Sequence, residues 1–437
     1  MSLQFVNVIL LTLTGTIHFF LQRNFTFELM IKAIQRCGVV PIKLCQWTLS
    51  KYQVDYDYDF DIFQNNISHS LKQTKHIYLK SFGSDFDEDY EIIDVLSKSG
   101  SVGQVYQCKC KKTDECVAMK VKHPNVDKEL DFWIRIFYIF YPVICRMKVF
   151  KILKYIEIEE FFQDFRNQFD FHIESKNMKK IYSLFEKNQS VVIPKLLKNS
   201  KDIIVMSYEN SKTINQTDMS FLKKVKCLTL LNLAIKELTF CGIYHCDLHN
   251  GNFGLRYHTF SQIVIYDYGF VKISNAKQKH WIQQCNICYE CGKQDEMYEL
   301  VAENCIIDKK NPKTELQTLK SSYPMCQMPF NSNTILKSFI DLCEKYDVLL
   351  KSDLINILIT LNTFEKIFQK YLNVSENGIS NMYQNILDLY SFSLSIEGFD
   401  QFKKVIHKNL HLYYKNETNS VTNYKNYVDE FYNEKLI

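Results

Sequence analysis

Glycine and proline are scarce in this 437-residue chain, numbering 12 and 7, whereas phenylalanine and tyrosine number 32 and 27. So few turn-formers among so many aromatics exclude collagen-like and low-complexity sequence, and point to a well-packed, largely helical protein. No charge of one sign dominates: 53 Lys and Arg stand against 49 Asp and Glu, a net of +4, and the charges are interspersed. The missing basic stripe argues against nucleic acid, so partners have to be read from sites. The 15 cysteines lack the regular spacing of a small disulfide framework, and a chain this long needs no staples. They read as mostly reduced, buried thiols of an intracellular protein.

The first 22 residues contain no Asp, Glu, Lys or Arg. They also lack the basic start and small-residue cleavage site of a signal peptide, and the Arg- and Ser-rich pattern of a transit peptide. From Phe5 to Leu21 the chain is apolar except for Asn7, three threonines and His18. This run reaches the short edge of a bilayer span, so a membrane anchor is expected, with a buried N-terminal helix as the alternative. Arg23, Lys32, Arg36 and Lys43 would keep the main domain on the cytoplasm-like side. A second aromatic stretch, 132–150, carries Arg135, Arg146, Lys148 and Pro142, which argues for a core helix or a membrane-facing patch rather than a span. The acidic, aromatic run 55–61 reads as a solvated loop or helix entry.

The chemistry is concentrated between Tyr244 and Gly269. Asp247 and Asn252 stand close together in the first half, and Asp267 directly precedes Tyr268 and Gly269. Kinase-type phosphoryl transfer uses one carboxylate to orient or deprotonate the acceptor, with an amide and a second carboxylate to hold Mg²⁺. Short strands expected at 253–255 and 263–266 would deliver Asp267 at the end of the second. Upstream, β-type runs begin at Glu91. Gly100, Ser101, Gly103 and Val105 lie in a turn that fits the kinase string GxGxxGxV except at its first glycine, where Lys98 stands. Backbone N–H groups in such a turn approach phosphates. A third strand, 116–121, presents Lys120 to neutralise them.

A kinase lysine needs a glutamate on a neighbouring helix. Glu157, Glu159, Glu160 and Glu174 share one long helical stretch, 152–185, and periodicity does not choose among them. The long connection from Lys120 implies inserted helices. Strands at 191–194 and 203–206 lead to a hinge from Met206 to Asn210, where Met206 and Tyr208 are placed to meet adenine; a helix over 217–241 follows. Beyond Gly269 there is no Ala-Pro-Glu, and Cys246 stands where a phosphorylation-switched kinase has Arg. Cys285, Cys288 and Cys291, with His280 and Cys305 nearby, lie at helical spacing. They more simply line one buried face than build a zinc or iron–sulfur site. Apolar periodicity continues through 335–350, 354–371 and 386–392.

With these residues in view, the chain resembles the UbiB family of atypical kinase-like proteins, also called ADCK or aarF-domain kinases. Residues 42–47, with Lys43 and Gln46, look like the family's KxGQ signature, 99–106 like its modified nucleotide loop and 117–124 like its lysine strand. Gln168 to Asp170 falls at its ExD. Glu174 to Asn177 resembles its ExxN, which selects Glu174 as the partner of Lys120. His245 to Asn252 closely follows HxDxHPGN. The resemblance covers about 31–275 and implies an α+β, two-lobed protein-kinase-like fold, with a helical N-terminal extension over the active site and a helical C-lobe. On this basis the chain divides into an anchor (1–30), the extension (31–90), an N-lobe with a helical insertion (91–210) and a C-lobe (211–437).

The resemblance further implies ATP and Mg²⁺ as cofactors, membrane association with a mitochondrial setting, and a link to membrane lipid or isoprenoid-quinone metabolism. It favours ATPase activity over protein phosphorylation. The expectation is therefore a Mg²⁺-dependent ATPase or small-molecule, lipid-related phosphotransferase. In it Lys120 binds phosphate, Glu174 positions that lysine, Asp247 acts as base or orienter, and Asn252 and Asp267 hold metal. The alternatives are a nucleotide-binding scaffold without catalysis and, disfavoured by Cys246 and the missing Ala-Pro-Glu, a Ser/Thr protein kinase. Four positions depart from the family pattern: Cys45 for Gly, Gln168 for Glu, Asn250 for Pro and Tyr268 for Phe. Gln168 has no carboxylate to offer Lys43.

Overall fold

The computed structural model describes residues 2–21, 23–44, 69–97, 102–146, 154, 155, 157–257 and 261–290, with isolated positions beyond. The run 55–61, most of the C-terminal periodic segments, Gln46, Gly100 and Ser101 lie outside the described residues.

The chain opens with helix α1 (Ser2–Leu21), which folds back on α2 (Asn24–Arg36). The polar residues within the apolar run decide this. His18 Nδ1 meets Thr26 Oγ1 at 2.9 Å in a buried contact, and Asn7 Nδ2 donates to Arg36 O at 2.7 Å. These partners exist only on α2 or at its end, so α1 is docked on protein, and the expected membrane anchor is corrected. Among the described residues no helix is long and apolar enough to cross a membrane.

Helix α3 (Leu71–Phe82) starts at Ser70, which caps it by accepting from Gln73 N, and ends at Gly83, whose φ of 73° suits a residue without Cβ. It packs on a five-stranded antiparallel sheet. The strands are β1 (Tyr90–Ser97), β2 (Gly103–Cys110), β3 (Cys116–Lys122), β5 (Leu196–Asn199) and β6 (Ile203–Ser207), in the order β1-β2-β3-β6-β5. Six of the seven residues of β3 are buried, which suits its central place and leaves two lysines, 120 and 122, in the interior. Tyr78 of α3 and Met119, Val121 and Val205 of the sheet share one apolar cluster. Gly103 has a local reason to be glycine, because a Cβ there would stand 2.6 Å from Val121 O.

The insertion is helical, as expected, but differently divided. Helix α4 (Val126–Ile144) buries Leu130, Trp133, Ile134 and Phe137 along one stripe, so the aromatic stretch is a core helix. The single helix expected over 152–185 is two, α5 (Ile158–Asn167) and α6 (Phe171–Phe185). Asp170 makes the break by capping α6, its Oδ1 accepting from His172 N at 2.9 Å.

The second lobe is built on α7 (Phe221–Phe240), β7 (Ile243–His245), β8 (Phe253–Tyr257), β9 (Ser261–Ile265) and β10 (Val271–Ile273), followed by α8 (Ala276–Glu290). Strand β4 (Val191–Val192) lies parallel to β9, which pairs antiparallel with β8. Strand β7 pairs with β10. Lys272 of β10 reaches α5, with Nζ 2.8 Å from both oxygens of Asp164 and 3.0 Å from Glu160. The chain after the site is thereby fastened to the insertion.

Just before β2, His123 N donates to Val102 O at 3.1 Å, and the His123 ring meets buried His69, Nδ1 to Nδ1 at 2.9 Å. Burial, and then the charge of His123, pushes His69 down to about 4. The folded protein keeps His69 neutral while the unfolded chain protonates it near 6.5, so this contribution is complete above pH 6.5 and is lost as pH falls toward 4. The expected loss is at most about 3 kcal/mol. Unfolding free energies measured from pH 7 to 4 should show the fall, and His69→Gln should flatten it.

Candidate active site

The centre of the site is the buried ammonium of Lys120, which the register of β3 sets opposite Val105 on one side and Ile204 on the other. Its Nζ lies 2.7 and 2.9 Å from the two oxygens of Glu174 on α6, and 3.2 Å from Asp267 Oδ1. Of the four glutamates that periodicity left open, Glu174 makes this contact, while Glu160 is engaged by Lys272. Burial alone would lower the lysine, but Asp267 and Glu174 outweigh it and hold Lys120 above its ordinary value. Burial also pushes Glu174 up, against the opposing charge of Lys120.

Asp267 occupies the turn after β9 with φ of 53°, a left-handed conformation that few non-glycine residues adopt and that clusters at functional sites. Gly269 N–H donates to its Oδ1 at 3.1 Å. Burial would raise this carboxyl, yet the charges of Lys120 and Lys43 and the Gly269 N–H hold it well below the usual carboxylate range. Its side chain retains 31% exposure, so part of the carboxylate still faces the cleft. Asn177, four residues into the ExxN-like stretch, donates from Nδ2 to Tyr268 O at 3.1 Å, so α6 grips both Lys120 and the backbone beside Asp267.

The loop after β7 carries Asp247. It is laced to the Asp267 turn by three contacts: Cys246 N to Phe270 O at 2.9 Å, His245 Nε2 with Tyr266 O at 3.2 Å, and Tyr266 N to Asn252 O at 2.8 Å. Asn252 Nδ2 donates to Asp247 O at 2.7 Å, which fixes the side chain against the loop. Lys43, from the helical segment 39–44, reaches across the chain to place Nζ 2.5 Å from Asp247 Oδ2. Burial would raise Asp247, but Lys43 and His249 bring it below its ordinary value. Gln168 lies buried near Gly269 with neither amide atom hydrogen-bonded. Lys43 is neutralised by Asp247.

Two clusters therefore form, Lys120 with Glu174 and Asp267, and Lys43 with Asp247 and Asn252, joined by the lacing of their loops. Gly103 and Val105 lie on β2 beside them, and Met206 and Tyr208 are half-buried at the end of β6, where Tyr208 N makes a 3.4 Å contact with Cys116 O. Asp170 is engaged in capping α6. Cys285 is half-buried on α8, whereas the Cys288 side chain, Cys291 and Cys305 lie outside the described residues. Tyr266 was not foreseen: its phenol donates to Glu209 O at 2.9 Å and meets Ser211 Oγ at 2.6 Å, tying the hinge to the residue before Asp267. Its position immediately before Asp267 was the available signal.

An antiparallel lobe carrying a Lys–Glu pair, above a lobe whose loops present Asp, Asn and Asp, is the α+β arrangement of a protein-kinase-like fold. Residues 63–300, more than half of the chain, match the ABC1 atypical kinase-like domain, and the chain belongs to that family. The ABC1 family protein MCP2 of Saccharomyces cerevisiae is 25% identical over 210 residues, covering 41% of this chain and 35% of its own length. A protein named Probable protein kinase UbiB from Vibrio cholerae is 22% identical over 286 residues, covering 62% of this chain and 49% of its own. The chain thus spans less than half the length of these relatives. Among solved structures, the Rv3197–erythromycin complex from Mycobacterium tuberculosis aligns with a TM-score of 0.41 at 12% identity, over 70% of this chain and 83% of that one.

The ion pair of Lys43 and Asp247 is measurable by itself. Removing one partner of a buried pair leaves the other charge uncompensated. Lys43→Met should destabilise by about 1–3 kcal/mol, and adding Asp247→Asn should restore part of the loss. Denaturant titration of the two single variants and the double variant gives the coupling energy, which would be zero if the contact were incidental.

Proposed function

We propose that this protein binds ATP with Mg²⁺ and hydrolyses it, or transfers its terminal phosphoryl group to a small, lipid-related acceptor. The observation that carries this reading is the buried Lys120 ammonium held between Glu174 and Asp267. Lys120 binds the phosphates while Glu174 keeps it in place. Asp267 and the Asn252 Oδ1 are hard oxygen donors of the kind Mg²⁺ selects, and they would hold it; the ion supplies neutralisation of phosphate charge. Asp247 accepts a proton from, or orients, the attacking hydroxyl or water. Nucleotide contacts from Gly100, Ser101, Gly103 and Val105, and adenine contacts at Met206 and Tyr208, complete the proposal.

Cys246, standing where a switched kinase has Arg, agrees with a site that is not governed by loop phosphorylation. Likeness to UbiB-type proteins supports a membrane or isoprenoid-lipid setting. Two Arabidopsis thaliana relatives are named chloroplastic, which widens the organellar setting beyond the mitochondrion. A nucleotide-binding scaffold without turnover is the second reading, favoured by the neutralised Asp247.

The deciding experiment is ATP turnover by the purified protein and by Asp267→Asn, each with and without liposomes. The expected result is Mg²⁺-dependent turnover in the wild type, increased by liposomes, and a fall to background in the variant. Thermal stabilisation by ATP without turnover in any condition would favour the scaffold. Undiminished binding and turnover in Asp267→Asn would overturn the proposed roles.

A further inference from the structure

Glu209, in the hinge that follows β6, is held through every one of its oxygens. Its carbonyl accepts from the Tyr266 phenol at 2.9 Å, Oε1 accepts from Ser207 Oγ at 2.9 Å, and Oε2 accepts from Arg256 at 2.9 Å. Its amide is the exception. The N–H groups of Ser207 and Tyr208 meet Lys195 O at 2.9 Å and Cys116 O at 3.4 Å, whereas among the described residues the N–H of Glu209 has no partner. Glu209 and Tyr266 are both half-buried, so this edge of the hinge is not sealed from solvent.

The tyrosine is built into its place. A Cβ on Gly254 would stand 1.9 Å from Ser211 Oγ and 3.3 Å from Tyr266 Cε2, so β8 gives up a side chain where the phenol ring and Ser211 lie. Lys212 and Leu255 exchange backbone hydrogen bonds at 3.0 and 2.8 Å, which holds the hinge against β8. A phenol has a single proton to donate. Here that proton goes to Glu209 O, so in the 2.6 Å contact with Ser211 the serine hydroxyl donates and the phenol oxygen accepts. Burial pushes the phenol up to about 12, which keeps it a donor throughout the neutral range.

We propose that Tyr266 determines which base this hinge accepts: by holding Glu209 O it leaves an N–H as the group on offer, and so selects a base whose ring edge brings an acceptor. Adenine has such an acceptor at N1. Hypoxanthine and guanine carry a donor, N1–H, at the same place. That donor would have to share an oxygen already bonded, or lose water without replacement, which costs about tenfold in affinity. The inference deepens the ATP reading and rests on it, since it requires a base to lie against 206–210.

The full chain is titrated by calorimetry, with Mg²⁺ present, against ADP and against inosine diphosphate, which share ribose and phosphates and differ only at the edge of the base. Ser211→Ala, Tyr266→Phe and the double variant are titrated in parallel. The wild type is expected to bind ADP about tenfold more tightly. Ser211→Ala, which leaves the phenol on Glu209 O, keeps that preference. The double variant, in which neither hydroxyl can reach Glu209 O, loses most of it through a gain in affinity for inosine diphosphate; Tyr266→Phe alone replaces it should the pair fail to fold. A wild type without the preference, a double variant that retains it, or an equal loss in Ser211→Ala overturns the role of Tyr266 and leaves the ATP reading standing. A wild type that binds neither diphosphate overturns both.

Discussion

One buried cation shared by two carboxylates is the constraint on which the rest of the site depends. An ammonium as enclosed as that of Lys120 is tolerated only with its charge met, and Glu174 and Asp267 meet it from two different parts of the chain. This explains why β3 must be central, why α6 must lie over it, and why the turn after β9 adopts a left-handed residue at Asp267. It also leaves one negative charge in excess, since two carboxylates face one lysine. A nucleotide phosphate alone would add to that excess. A divalent cation brought with the phosphate would offset it, which is the ground on which Asp267 is proposed as its ligand.

The second constraint comes from the N-terminal extension. Lys43 crosses to Asp247, so the carboxylate of the loop after β7 is neutralised by a residue from a segment that also packs against α4. Gln168 is buried with its amide unbonded, and the carboxylate that meets Lys43 is that of Asp247. The extension, the insertion helices and the loop after β7 are thereby parts of one electrostatic arrangement. Lys272, gripping Asp164 and Glu160, fixes the insertion to the strand that follows the site.

Much of this was legible in the sequence, for identifiable reasons. That Lys120, Asp247, Asn252 and Asp267 would lie in one region was legible because their residue types and order follow those of kinase-type sites, and the structure does bring them together. Glu174 could not be chosen by periodicity, since four glutamates preceded or lay on apparently continuous helix; it needed the family pattern. That continuity was itself misread, because the cap at Asp170 is a local hydrogen bond that competes with helix only once the chain is packed. The anchor was misread for a related reason. Asn7 and His18 look like minor flaws in an apolar run until Arg36 O and Thr26 supply their partners. Gly103 was assigned to phosphate approach, whereas the closeness of Val121 O gives it a packing reason as well.

The central claim is that the excess negative charge around Lys120 calls for a nucleotide accompanied by a divalent cation. Its most direct test is the equilibrium affinity of the wild-type protein for ATP, measured by calorimetry across a series of Mg²⁺ concentrations. The account predicts saturable binding that tightens at least tenfold as Mg²⁺ rises from chelated to millimolar levels. Affinity indifferent to Mg²⁺, or no ATP binding at any Mg²⁺ concentration, would contradict it.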